Sequence, residues 1–332
     1  MTHTRRNVLR KASALSALAV GAAGISTTTA AQDTIETTDG IPSNAFAPFH
    51  HMTTAPDDGP SKWSDLAETP YLHLAFVLGT GDGTPAWDGD PDYVVGESKL
   101  DDQIENFRDD GGEVVISYGG AIGNYLVSDY DDPDELADAF EFVVDEYGSP
   151  YIDIDDEGGS QAEIDLRNEA LSILQDRRSE VKVSYTVRAS TQGVMDEHII
   201  DSAIDHGVDI HWVNPMTMNY GWIPPDADAV ISTAESTHDQ LTEWFPDRDD
   251  DELYNMIGIT PMIGENDVGG AFYPEDAVEV LSYAQDNDIG LLSFWSVERD
   301  NGDCPDGSVD AECSGIEQDD FEFSHTFNEF NS

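Results

Sequence analysis

Tyr151-Ile152-Asp153-Ile154-Asp155-Asp156-Glu157-Gly158 is the most informative stretch of the chain. With a side-chain period of two in extended backbone, Asp153, Asp155 and Glu157 share one face, and Ile152 and Ile154 take the other. A strand of a parallel barrel is buried on both faces and is normally apolar throughout. Three carboxylates on one such face cost stability unless they share protons, and sharing raises at least one pKa. A carboxyl held protonated near neutral pH is a general acid. Two plainer readings compete. One is a solvated charge run, which fits 247–252 but not carboxylates interleaved with isoleucines. The other is a calcium loop, which fails because Ile164 stands where the closing Glu belongs.

Outward from this stretch, short apolar runs alternate with segments of helical spacing. Strands are predicted at 45–50, 71–78, 113–118, 151–155, 182–188, 210–218, 256–261 and 290–295. Helices are predicted at 100–109, 134–147, 162–178, 193–206, 233–245 and 274–288. That alternation predicts an α/β chain folded as a single (β/α)8 barrel. An open doubly wound sheet is disfavoured, because no Gly-rich phosphate loop follows the first strand. Barrel chemistry sits at the C-terminal ends of the strands. There stand His50-His51, Ser117-Tyr118-Gly119-Gly120, the acidic triplet, Met218-Asn219-Tyr220 and Phe294-Trp295. The two histidines look like metal ligands, yet no His/Cys/carboxylate set at zinc spacing accompanies them.

The 332 residues carry 14 Lys+Arg against 69 Asp+Glu, a formal charge of −55. Such a surface repels nucleic acid and anionic membranes. With 39% hydrophobic and 9% aromatic residues, the chain has the means to build a core. Beyond the N-terminus only Lys62, Lys99 and Lys182 are lysines, which with abundant Asp points to a protein working in concentrated salt. There the Debye length falls to about 3 Å at 1 M and self-repulsion is screened.

Residues 1–31 read as an export signal. Thr4-Arg5-Arg6-Asn7-Val8-Leu9-Arg10 resembles the twin-arginine motif, and the apolar stretch 12–25 is too short to span a bilayer. Cleavage is expected after Ala31, and no nearby Cys would take a lipid, so a secreted, unanchored product is expected. Residues 32–332 show no linker or internal repeat and are expected to form one barrel, without an appended module and as a monomer. Cys304 and Cys313 are expected to pair in an exported protein.

Several segments together carry a resemblance. Asp153-Ile154-Asp155-Asp156-Glu157 resembles the Asp-x-Asp-x-Glu core of glycoside hydrolase family 18, the chitinases. The stretch 115–120 is similar to that family's Ser-x-Gly-Gly strand, and 214–221 to its Met-Thr-Met-Asp-Tyr-Gly stretch. Segments 260–267 and 292–300 resemble its last two strands, so the likeness covers nearly all of the chain after 31. Pro150-Tyr151 stands in place of Asp-Gly, Asp156 in place of a Trp or Ile, and Asn219 in place of an Asp.

The resemblance implies hydrolysis of chitin or N-acetylglucosamine oligosaccharides, with the substrate's own acetamido group as nucleophile and no cofactor. It makes Glu157 the general acid/base, Asp155 the holder of the acetamido N–H, and Asp153 its proton-sharing neighbour. Trp295 becomes the floor under the sugar. The family's acetamido-binding Tyr often sits at the position of Met218, which leaves Tyr220 as the nearest candidate. Tyr118, Met218 and Asn219 lie in matching segments and are expected to contact substrate. Trp87, Trp222 and Tyr125, on loops after strands, are expected either to extend the groove or to pack. Two other activities stay open: a non-catalytic chitinase-like lectin, and an endo-β-N-acetylglucosaminidase acting on N-glycans.

Overall fold

Eight strand positions close a ring in the computed structural model, which describes residues 40–331. The first position is split into Ala45–Phe46 and Phe49–His51 around Ala47-Pro48. Tyr71–Gly79, Glu113–Gly120, Tyr151–Asp156, Lys182–Ser190 and Ile210–Met216 follow, each pairing in parallel with its predecessor. The seventh, Gly258–Ile259, meets the sixth through the single bridges Val213–Ile257 and Met216–Thr260. The eighth, Leu291–Leu292, pairs with the seventh on one side and with Ala45–Phe46 on the other, completing the ring. The expected barrel is therefore present. The expected export signal lies outside the described residues.

Helices cover the outside of the ring, and their apolar stripes face the strands. Pro133–Tyr147 buries Leu136, Phe140, Val143 and Tyr147 on one side. Its start is set by Asp132, whose side chain accepts the N–H groups of Asp134 and Glu135, and its end by Gly148 in the left-handed region. Several boundaries differ from expectation, most of all at the helix expected from 233, which begins at Ala227 behind Asp226, whose side chain accepts the Ala229 N–H. The helix expected from 193 begins at Glu197, because Gly193–Val194 turns back to pair with Ala189–Ser190. The sixth strand stops at Met216 rather than 218, and the chain swings away through Asn219 at φ 58. Pro60–Ala67, Asp250–Asn255 and Glu322–Asn328 are helices that the spacing did not announce.

Inside the ring, side chains stack in layers, as alternation along parallel strands requires. Ile41, Tyr71, Val115, Tyr151, Trp212 and Leu291 fill the N-terminal end as an apolar plug. Two residues further along each strand the buried positions turn polar: His73, Ser117, Asp153, Ser184 and Asn214. Cys304 and Cys313 are joined by a disulfide, with Cα atoms 6.0 Å apart. Among the described residues no helix is long and apolar enough to cross a membrane.

Candidate active site

The fourth strand lifts its carboxylates from the polar layer toward solvent in three steps. Asp153 is fully buried. Ser117 Oγ donates to its Oδ2 at 2.7 Å, while Ser184 Oγ and Thr186 Oγ1 donate to its Oδ1 at 3.0 and 2.9 Å. Burial pushes its pKa up to about 6, against the pull of those three hydroxyls. Asp155 is 5% exposed and its Oδ1 has no hydrogen-bond partner. Burial first, then the charges of Glu157, Asp153 and Asp156, drive its carboxyl well above the usual range. Glu157, half-buried, ends the series. Burial raises it, Arg188 opposes, and Asp267, Asp156 and Asp196 raise it further. The third strand comes this close because of Gly119, at φ +117, where a Cβ would collide with the Asp155 carbonyl.

Asp155 and Glu157 form one wall of a cavity of about 190 Å³ at the C-terminal end of the ring. Its floor is Trp295, stacked on Phe76 with centroids 5.6 Å apart and planes inclined by 13°, with Phe49 at 6.0 Å. Met216, Met218 and Met262 add apolar lining, and Asn219 and Asp267 add polar groups. An apolar floor beside protonatable carboxyls suits a pyranose, whose C–H face stacks on an aromatic ring while its polar groups meet donors and acceptors. A larger hollow of about 750 Å³ opens at the opposite end, around Tyr151, Lys182, His211 and Arg248. It gathers opposite charges without a stacked carboxylate array, so the smaller cavity is the candidate site.

The structure brings together Asp153, Asp155, Glu157, Trp295, Met218 and Asn219. It separates four other expected residues from them. Tyr220 is not at the cavity: its hydroxyl pairs with Thr233 Oγ1 at 2.7 Å, on the helix Ala227–Trp244. Tyr118 is buried on the outer face of its strand, edge-on to Phe140 with centroids 5.0 Å apart, because Ser117 takes the inner face. Trp87 is fully buried under the hairpin strand Pro85–Trp87, its Nε1 donating to Tyr147 Oη at 2.9 Å. Trp222 is fully exposed and outside the cavity lining.

His50 pairs with Glu298 in full burial. His51 is bonded to Thr54 and, at 3.2 Å, to Asp88. Burial lowers the His51 pKa, but the bond and charge of Asp88 outweigh it and the net shift is upward.

Asp267 and Arg188 were not singled out from sequence. Asp267 lies at the end of the quoted 260–267 segment. Asn219 Nδ2 donates to its Oδ2 at 3.1 Å, so the neutral amide tethers a carboxylate that an aspartate at 219 would repel. Arg188 faces Glu157 from the fifth strand and is clamped by Asp196 at 2.7 and 2.9 Å.

No protein-family model matches the chain. The solved active domain 2 of a chitinase from Pyrococcus furiosus is 36% identical, with a TM-score of 0.82 over 89% of this chain and 97% of that one. Catalytic-site mutants of that domain have been solved with chito-oligosaccharides. A probable bifunctional chitinase/lysozyme of Escherichia coli (strain K12) is 32% identical over 286 residues, covering 78% of this chain and 31% of that protein. Endochitinase 11 of Metarhizium anisopliae is 33% identical over 290 residues, covering 78% of this chain and 53% of that protein. The chain thus spans about a third and about half of the lengths of these two relatives.

Proposed function

We propose, from the premise that this chain belongs to the glycoside hydrolase family 18 chitinases, that it hydrolyses β-1,4-linked N-acetylglucosamine polymers by substrate-assisted, retaining catalysis. The observation that carries this reading is the stack of Asp153, Asp155 and Glu157 rising from burial to the edge of a cavity floored by Trp295. A carboxyl raised by burial and by like charge, at the mouth of an apolar pocket, is a proton donor near neutral pH. Glu157 protonates the glycosidic oxygen and later accepts a proton from the attacking water. Asp155, one strand repeat below, holds the acetamido N–H, so that the acetamido oxygen attacks the anomeric carbon and the resulting cation sits beside a carboxylate. Asp153, satisfied by three hydroxyls, shares the proton that Asp155 releases. Asn219 and Asp267 supply the polar groups beyond this wall.

Because the acetamido group is the nucleophile, a sugar without one is no substrate. Incubation with N-acetylglucosamine hexamer and with cellohexaose tests this directly. Release of shorter N-acetylglucosamine oligomers with no cleavage of cellohexaose is expected. Cellohexaose turnover would overturn the mechanism, and chitin-oligomer binding without products would favour a lectin. Release of N-glycans from glycoprotein would favour an endoglycosidase. The assay belongs in several molar salt, since the proposal extends to an exported, salt-adapted, monomeric protein. Its charge of −55 and the Cys304–Cys313 disulfide support that extension.

A further inference from the structure

Asp156 is the fourth carboxylate of the acidic strand, and it points to the opposite face. Its Oδ2 is paired with Arg167 Nη1 of the helix Gln161–Arg177, with both residues buried at 2% and 4% exposure. Nε and Nη2 of the same guanidinium are buried without a partner among the described residues, so Asp156 is the one carboxylate that balances it there. A buried pair of this kind gains little net stability and is costly to break. The other Asp156 oxygen, Oδ1, accepts the N–H groups of Gly158 at 3.0 Å and Gly159 at 2.7 Å, the two residues after Glu157. The N–H of Glu157 itself donates to Tyr125 Oη at 2.9 Å, and that hydroxyl donates to the Gly120 carbonyl, also at 2.9 Å. The backbone of Glu157 is thus gripped from the helix side through Asp156 and from the third strand through Tyr125.

We propose that Asp156, anchored by Arg167, and Tyr125 are positioning residues that set the height and aim of the Glu157 carboxyl over the cavity. This rests on Glu157 being the general acid. Proton transfer demands hydrogen-bond reach, and a misplacement of about 1 Å costs a large factor in rate. Asp156 occupies a position where the resembling family carries an apolar side chain, so this chain adds a charge one residue from its proton donor. Burial opposes that charge, but Arg167 and the two glycine N–H groups outweigh it and hold Asp156 below the usual carboxylate range. Ionised Asp156 in turn helps to keep Glu157 protonated. The other charged groups facing Glu157 are Arg188 on the fifth strand, Asp196 and Asp267 on the loops after the fifth and seventh, and Asp155 on its own strand.

Two variants separate positioning from mere support, read as kcat, KM and pH profile on a fluorogenic chitobioside beside the parent. Tyr125→Phe removes the acceptor for the Glu157 N–H and leaves every charge in place. It also removes the donor to the Gly120 carbonyl, and a kcat lower by about tenfold with KM nearly unchanged is expected, the scale of losing the hydrogen bond that holds Glu157. Asp156→Asn keeps an oxygen acceptor for Gly158 and Gly159 but removes the charge, so the basic limb of kcat/KM is expected to move to lower pH. Parental kcat in Tyr125→Phe together with a parental basic limb in Asp156→Asn would overturn the proposal, even if both unfold at lower temperature. Should Asp156→Asn fail to fold with Arg167 unpaired, Tyr125→Phe alone decides. A parent that turns nothing over overturns the chitinase reading instead.

Discussion

Asp153 and Asp155 stand on a barrel strand with Glu157 just past its end, whereas Asp247 and Asp249 precede, and Asp250, Asp251 and Glu252 open, a surface helix. In the second group every carboxylate is exposed, and two of them do local structural work. Asp249 Oδ1 accepts the Glu252 N–H at 3.0 Å, and Glu252 Oε2 accepts the Asp249 N–H at 3.0 Å. That box closes orphan donors of the helix Asp250–Asn255, and the remaining acids sit favourably at its positive end. In the first group the same functional group has lost its water. Asp153 answers with three hydroxyl donors, and Asp155, with an oxygen left unpaired, by holding a proton. Chemistry arises where solvation is withheld, because only there does a carboxyl depart far enough from its ordinary pKa to donate at neutral pH.

The contrast breaks most sharply at Glu157. Replacing it with Gln is expected to leave the fold and the affinity for N-acetylglucosamine oligomers intact while cutting kcat by a factor on the order of 10³ or more, which initial-rate assays would read. Near-parental turnover would return Glu157 to the class of surface acids. Trp295→Ala comes next. Losing the ring stacked on Phe76 is expected to lower kcat/KM by about thirtyfold, mostly through KM, as titration of oligomer binding would show.

The third test concerns pH. The folded pKa of Asp153, about 6, lies above the ordinary value near 3.9, so the folded state keeps a proton that the unfolded chain has released. Its penalty is absent below about pH 4, grows as pH rises through 6 and is constant above, at most about 3 kcal/mol. The unfolding midpoint of Asp153→Asn relative to the parent should therefore climb between pH 4 and 6 and level off. A flat difference would show that burial does not shift this group. The smallest effect belongs to the surface: Asp249→Ala should cost about 1 kcal/mol in chemical unfolding and leave kcat unchanged.

Much of this division is legible in the sequence. Alternation along 151–157 put three acids on one face between isoleucines, and the eight apolar runs fell where the strands are. The same alternation, applied to Ser117 and Tyr118, already implied that only one of them faces inward, and the structure gives that place to Ser117. Tyr220 and Trp87 were out of reach of such reasoning. Tyr220 follows Asn219, whose left-handed backbone redirects the chain toward Thr233, and Trp87 sits on a two-stranded hairpin that folds it under the helix Pro133–Tyr147. Asp267 and Asn219 come from loops after different strands, and nothing local says that they touch.

By itself the sequence determined the strand count, the acidic face and the charge of the surface, because periodicity and composition are properties of the chain. The tertiary structure alone decided which aromatic rings reach the cavity, which carboxylate binds Arg167 instead of facing the cavity, and how far each acid is stripped of water. Those depend on distances between segments far apart in sequence, and burial, the quantity that moves a pKa, exists only once the ring has closed.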